Sequence, residues 1–315
     1  MDISRICVFG GSGFVGRSIV EQAYAQGLRV RVVTAYGPSA MPVAVVPTVE
    51  IVTANVFDDR ALAAACEDMD AVVNLVGILH PSRGRGFEAV HVDLPRRIAQ
   101  ACHGAGVQHL LHMSALGADA DGPSEYQRSK GRGEAALRQA AGILPCTIFR
   151  PSVIFGEGDH FLNLFAQLVR MFPVVPLAGA GARFQPIWVE DVARCFVRSL
   201  GETRAFGQAY NLCGPRAYTL EQLVRFVSGS LRLRRRIVPL SPGLARMQAL
   251  VLEHLPGKLM TRDNLASMSV DNTCADAFPA LFGFEPSPLE AVAPAYLTNA
   301  NTRERYQRYR HVAGR

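Results

Sequence analysis

Three glycines at fixed spacing constrain this chain more than any other feature. In Gly10-Gly11-Ser12-Gly13-Phe14-Val15-Gly16, positions 10, 13 and 16 fall between the apolar run Arg5 to Phe9 and the amphipathic stretch Phe14 to Gln26. A strand that turns sharply into a helix needs one glycine for the turn and one where a phosphate must reach the backbone. A third is needed where helix and strand touch. The first N–H groups of such a helix have no internal partner and, with the helix dipole, favour an anion. The pattern lies within a dozen residues of the start and is followed by a second apolar run from Arg29, so it predicts a βαβ unit. Its first turn, with Ser12, Phe14 and Val15, would hold the pyrophosphate of a dinucleotide.

The rest of the first half continues that rhythm. Candidate strands at Arg29 to Val33, Glu50 to Thr53, Ala71 to Leu75, His109 to Met113 and Thr147 to Arg150 alternate with helical periodicity at Arg60 to Glu67, Val92 to Gly104 and Tyr126 to Ala141. Alternation of this kind specifies an α/β fold, a Rossmann-type doubly wound parallel sheet. Pro38, Pro42 and Pro47 interrupt the second crossover, so a helix there is expected to be short or absent. The expected organisation is a Rossmann domain over 1–213, with a loop excursion at 157–183, and a smaller, mostly helical C-terminal domain over 214–315.

With 49% hydrophobic and 19% charged residues, the composition is that of a well-buried globular protein. Seven cysteines sit mostly in apolar runs and never at a metal-ligand spacing, so they read as reduced core residues with no metal site. The opening residues carry no leader-like charge and apolar pattern, and no apolar stretch is long enough to span a bilayer, which predicts a cytoplasmic protein. Net charge is +6, uneven in distribution, with arginines clustered at 232–236 and 303–310. No nucleic-acid module accompanies them, so a nucleic-acid partner is not expected. Leu244 to Leu255 is amphipathic; packing in the core is the expected use, and contact with a membrane surface or a partner the other.

The carboxyl ends of the strands supply the candidate site residues. Tyr36, beside Thr34 and Ala35, follows the second strand, where an acidic residue would read the ribose of NAD and a basic one the phosphate of NADP. Asn55 and Val56 follow the third strand, towards adenine. Leu75, Val76 and Gly77 follow the fourth, beside ribose and nicotinamide. Tyr126 and Lys130 are four apart on one helix face, after Ser114 at the end of the fifth strand. A lysine ammonium near a phenol lowers the phenol pKa and makes it a usable acid or base, with Ser114 orienting a substrate oxygen.

These residues resemble the short-chain dehydrogenase/reductase superfamily in its extended or atypical branch. The marks are the glycine turn, the Tyr126–Lys130 pair, the run Arg150-Pro151-Ser152-Val153-Ile154-Phe155-Gly156, and Val189-Glu190-Asp191-Val192. The stretches Arg97 to Gln100, Gly106 to His109, Asp159 to Asn163, Met260 to Asn264 and Pro286 to Glu290 are similar to the nucleotide-binding accessory subunits of respiratory complex I and their bacterial relatives. The resemblance implies bound NADP or NAD, with NADP favoured and Ala35 arguing against it, and adds Lys130, Pro151 and Val153 to the cofactor contacts. It departs from the family pattern at Ala35, at Asn55 and in the short interval from Ser114 to Tyr126.

Two functions follow as expectations. One is hydride transfer between the nicotinamide and a carbonyl, alcohol or quinone-like small molecule, with Tyr126 as acid/base, Lys130 tuning it and Ser114 placing the oxygen. The other is a non-catalytic dinucleotide protein docked on a respiratory assembly, with at most peripheral contact at the inner face of the membrane.

Overall fold

The computed structural model describes residues 3–81, 84–142, 144–254 and 260–298. The arginine cluster at 303–310 lies outside them. In chain order the elements are β1 (Arg5–Phe9), α1 (Phe14–Ala25), β2 (Arg29–Thr34), β3 (Val49–Thr53), α2 (Asp59–Cys66), β4 (Ala71–Asn74), α3 (Leu94–Gly104) and β5 (His109–Met113). Next come α4 (Glu125–Ala141), β6 (Cys146–Pro151), β7 (Ile154–Phe155), α5 (Leu162–Met171), β8 (Val174–Leu177), β9 (Arg183–Phe184), β10 (Ile187–Trp188) and α6 (Val189–Ser199). The last are β11 (Ala209–Leu212), β12 (Tyr218–Thr219), α7 (Leu220–Ser230), β13 (Arg236–Pro239), α8 (Pro242–Leu252), α9 (Arg262–Ser267) and a helix over 289–298. Where the prolines interrupt the second crossover, only a short 3-10 turn, Gly37–Ala40, forms after β2.

Seven strands make one all-parallel sheet in the order β11-β6-β5-β4-β1-β2-β3. The central strands β1 and β4 are buried on both faces because helices cover both sides, which is why they read as nearly unbroken apolar runs and not as alternation. One helix layer packs Leu62, Cys66, Leu94, Ile98, Cys102 and Leu137 against Cys7, Val72, Leu110 and Ile148. On α1, Ser18 and Gln22 donate to the Glu190 carboxylate of α6 at 2.6 and 2.7 Å, which locks these two helices side by side.

The chain groups into two compact units. The first holds residues up to Ser152 together with Val189–Cys213 and Cys274–Glu285; the second holds Val153–Trp188, Gly214–Thr273 and the residues from Pro286. Position 213/214 is thus one of several crossings. Residues 157–183, expected to be an excursion of the first domain, group with the second unit. Their Phe165, Val169, Val175 and Leu177 share a core there with Leu223, Val224, Val227, Leu289 and Leu297. Periodicity reports elements, and only the core they share decides the unit to which they belong. Asp159 caps α5, accepting from the N–H groups of Phe161 and Leu162 at 2.8 and 2.6 Å, and from the Tyr296 hydroxyl at 2.9 Å.

The reading of all seven cysteines as reduced is corrected. Cys213, after β11, is disulfide-bonded to Cys274, where the chain returns to the first unit, while Cys7, Cys66, Cys102, Cys146 and Cys195 are free and buried. The two partners are 61 residues apart in sequence, and no local spacing announces them. Thiol titration of the unfolded protein should therefore find five reactive groups without reductant and seven after reduction. Seven in both samples, with an unchanged mass, would remove the bridge.

Candidate functional site

Strand order reverses between β1 and β4, so their connections leave in opposite directions and open a crevice at the carboxyl edge of the sheet. Two backbone segments meet there. Gly10 has φ +82°, a left-handed conformation that bulkier residues avoid, and its open side faces Leu75 and Val76 after β4. A Cβ on Gly16 would run into the Gly10 carbonyl and the Cα of Gly11, so α1 can start against the turn only with glycine there. Gly13 is the N-cap of α1 and offers no side-chain acceptor, which leaves the first N–H groups of the helix for a ligand. Val15 and Leu75 are buried supports of this turn.

β2 itself carries two arginines, Arg29 and Arg31. Arg31 bonds the Glu50 carboxylate at 2.8 Å and the carbonyls of Ala65 and Glu67 at 3.1 and 2.9 Å, so its guanidinium is engaged with α2 and β3. Arg29 begins β2, at the opposite edge of the sheet from the crevice. The sequence reading passed over Arg17, whose Nε donates to the Ser12 carbonyl at 3.0 Å; the Ser12 hydroxyl lies 3.4 Å from that of Thr34 at the end of β2. Arg17 thus brings a cation to the turn where a ribose bound at Thr34, Ala35 and Tyr36 would sit. Ala35 and Tyr36 are exposed there. The Asn55 side-chain oxygen accepts from the Phe57 N–H at 3.1 Å and shapes the turn into α2, while Val56 is buried in the core.

At the end of β5 the Ser114 hydroxyl is buried and, among the described residues, without a hydrogen-bond partner. Such a group in a native fold calls for a reason, and one aimed at a ligand oxygen is the simplest. Lys130, also buried, donates its ammonium to the Met113 carbonyl at 3.3 Å, one residue from Ser114. A side chain grown at Gly77 would come within 3.2 Å of the Lys130 nitrogen and 3.7 Å of His91 Nε2, so the loop after β4 and helix α4 converge. The short interval from Ser114 to Tyr126 does not prevent this. It folds back on α4, with the Asp119 N–H donating to the Gln127 carbonyl at 3.2 Å and Ser124 capping the helix. The Ser114 and Leu116 N–H groups donate to the carbonyls of Phe149 and Pro151, which brings Pro151 beside Ser114. Val153 lies in the second unit, its N–H donating to the Asn272 side chain at 3.2 Å.

His91, which no motif in the sequence singles out, is the hub behind Tyr126. Its Nε2 accepts from the Ile78 N–H at 3.1 Å, so Nδ1 carries the proton and donates to Ser129 Oγ at 2.9 Å; that hydroxyl donates to the Tyr126 carbonyl at 2.9 Å. Its ring packs edge-on against Tyr126, 5.6 Å between centroids. Burial, followed by the charge of Lys130, pushes the His91 pKa down to about 3, so the ring stays neutral. The π-type turn Glu88–Asp93 that carries it is the only local signal, since such turns recur at functional sites. Deeper in, the Asn74 amide donates to His112 Nδ1 at 3.1 Å, while its oxygen accepts from the Val76 N–H at 3.1 Å, which fixes the loop after β4.

The electrostatics correct one expectation. Lys130 was expected to lower the Tyr126 pKa, yet burial pushes the phenol up to about 12. Burial also pulls Lys130 down to about 8, against the carboxylate of Glu134 one turn along α4. Glu134 is itself held by Arg150 of β6 at 2.8 Å. Desolvation thus outweighs the attraction of Glu134 at Lys130 and acts unopposed at Tyr126.

The profile of the NAD dependent epimerase/dehydratase family matches residues 6–213. The chain is 31% identical to NADH dehydrogenase (ubiquinone) 1 alpha subcomplex subunit 9, mitochondrial, of Mus musculus, over 90% of this chain and 77% of that protein. It is also 31% identical to the ceramide reductase of Caulobacter vibrioides, over 78% of this chain and 77% of that protein. Its fold is similar to that of the UDP-glucuronic acid 4-epimerase of Bacillus cereus in complex with UDP-glucuronic acid and NAD, with a TM-score of 0.70 at 14% identity, covering 94% of this chain and 99% of that one. A glycine turn at the switch point, a Tyr-Lys helix beside the end of β5 and a profile match from β1 to the end of β11 agree: the chain belongs to the NAD dependent epimerase/dehydratase family, within the extended branch of the short-chain dehydrogenase/reductase superfamily.

Proposed function

We propose that this protein is an NAD(P)-dependent oxidoreductase that reduces the carbonyl of a lipid-like or quinone-like small molecule. The observation that carries the reading is the buried Ser114 hydroxyl, without a partner among the described residues and one residue from the carbonyl that holds Lys130. When bound, a nicotinamide dinucleotide supplies or accepts a hydride. The N–H groups at the start of α1 hold its pyrophosphate, and Lys130 holds the ribose beside Gly77. Ser114 donates to the substrate oxygen, and Tyr126 passes its phenolic proton to that oxygen as the carbon is reduced. A phenol raised to about 12 keeps its proton at neutral pH, which suits reduction. The Lys130 ammonium stabilises the phenolate left behind. The names of the two relatives, a ceramide reductase and a subunit of a ubiquinone-linked dehydrogenase, support a lipid-like substrate.

A second reading has its own support. The mouse relative is a subunit of a larger dehydrogenase, and in that role the dinucleotide would be a structural ligand and a respiratory assembly the partner.

One preparation separates them. Nucleotide released from purified protein is identified, and wild type and Tyr126→Phe are compared on ketones, aldehydes and quinones. The oxidoreductase reading expects Tyr126→Phe to lose about 10²–10⁴-fold in kcat/KM while retaining nucleotide. Equal or absent rates in both, with nucleotide retained, favour the structural ligand.

For the choice of dinucleotide, Arg17 at the turn supports NADP, its guanidinium meeting the ribose phosphate that Ala35 leaves unread. Arg17→Gln should weaken NADPH binding about tenfold or more and leave NADH nearly unchanged. Equal losses for both would assign Arg17 to the shape of the turn alone.

The pH dependence of binding follows from Lys130. With its pKa lowered to about 8, the ammonium is present below that value and is lost as pH rises through it. Dinucleotide affinity should therefore fall above about pH 8 in wild type and lose that slope in Lys130→Met; an unchanged slope would remove Lys130 from the binding site.

A further inference from the structure

Helix α8 turns its larger apolar side outward. Its buried residues are Ala245 and Ala249, while Leu244, Met247, Leu250 and Val251 are 49, 58, 45 and 57% exposed. At 3.6 residues per turn those four occupy an arc of roughly 120°. A helix that served only the core would do the reverse. Packing in the core, the expected use of this segment, is thus met only by its two small residues. The Gln248 side chain donates to the Pro176 carbonyl at 3.1 Å, seating α8 along β8. Just before and within β8, Met171, Phe172 and Val174 extend the exposed apolar surface.

Charge borders the patch on one sign. Between residues 231 and 254 the chain has five arginines and one acidic residue, Glu253. Arg232, Arg234, Arg236 and Arg246 are exposed, and Arg236 pairs in register with Val174 at the end of the apolar strip. The ion pairs among the described residues involve none of these four, whereas Glu253 is held by Arg262 at 2.8 Å. Arg235 is engaged, donating to the Val169 carbonyl at 2.6 Å.

This combination selects the occupant. A second copy seated on the same face would bring arginines against arginines. Residues 299–315, with five arginines and one glutamate, would be repelled in the same way. We propose that α8 and the Met171–Val174 strip form a docking face for an anionic lipid bilayer, with Leu244, Met247, Leu250 and Val251 entering the headgroup and acyl boundary. Arg232, Arg234, Arg236 and Arg246 pair with lipid phosphates. Peripheral binding of this kind needs both signals together, since neither a short apolar face nor a few charges holds a protein alone. It is independent of whether the dinucleotide reacts.

The test is co-sedimentation of the full chain with vesicles of phosphatidylcholine alone or with a third of it replaced by phosphatidylglycerol. Wild type should sediment with the anionic vesicles at low salt, stay in solution with neutral ones, and be released at about 1 M salt, where the Debye length is about 3 Å. Met247→Ser with Val251→Ser should weaken binding about tenfold or more. Arg234→Gln with Arg236→Gln should weaken it about fivefold per arginine. All four positions are exposed, so thermal melting should be unchanged and serves as the folding control. Absence of wild-type binding to anionic vesicles overturns the proposal, as does binding that survives Met247→Ser with Val251→Ser. Loss of binding on deleting residues 299–315, or a dimer that the serine variants dissociate, would assign the surface to another occupant and equally overturn it.

Discussion

Helix α1 begins in contact with the turn that precedes it, and that contact tolerates no Cβ at position 16. Everything at the carboxyl edge of the sheet is referred to this approach. It sets the direction of the first helical N–H groups, the left-handed turn at Gly10 and, through Gly10, the distance to Leu75 and Val76 after β4. The reversal of strand order at β1 and β4 then leaves a crevice and not a packed junction, because the neighbouring connections depart in opposite directions.

Burial governs the chemistry within reach of that crevice. Ser114, Lys130, His91 and His112 are all removed from water, and desolvation is the first cause of the shifts at the two histidines, the lysine and Tyr126. The consequence is a set of groups held in their neutral or weakly charged forms, around a lysine whose charge is costly unless a ligand shares it. Glu134, anchored by Arg150, offsets part of that cost from one turn along α4. His91 adds geometry and not charge. As a neutral ring it ties the Ile78 N–H, after β4, to the turn of α4 that carries Tyr126, so the two segments are joined through one side chain.

Much of this was legible in advance. The glycine spacing, the apolar runs and the prolines of the second crossover each act through local sterics, and they produced the right strands, the right helices and the missing one. That Tyr126 and Lys130 share a helix and that Ser114 follows a strand end was legible for the same reason, since helical spacing and the end of a strand are local facts. The tuning of that pair was not. A lysine beside a phenol reads as an attraction on paper, while the depth at which both are buried, which reverses the outcome, belongs to the packed state.

What the sequence by itself determined is the parallel sheet, the place of the phosphate turn and the helix face that carries Tyr126 and Lys130, all set by steric rules acting over a few residues. Only the tertiary structure decided that Cys213 meets Cys274, that residues 157–183 join the second core, that Arg31 is engaged while Arg17 reaches the turn, and that α8 shows its large side chains to solvent. Each of these depends on which distant segments come together, and that is set by the sum of buried contacts over the whole chain, which no local spacing encodes.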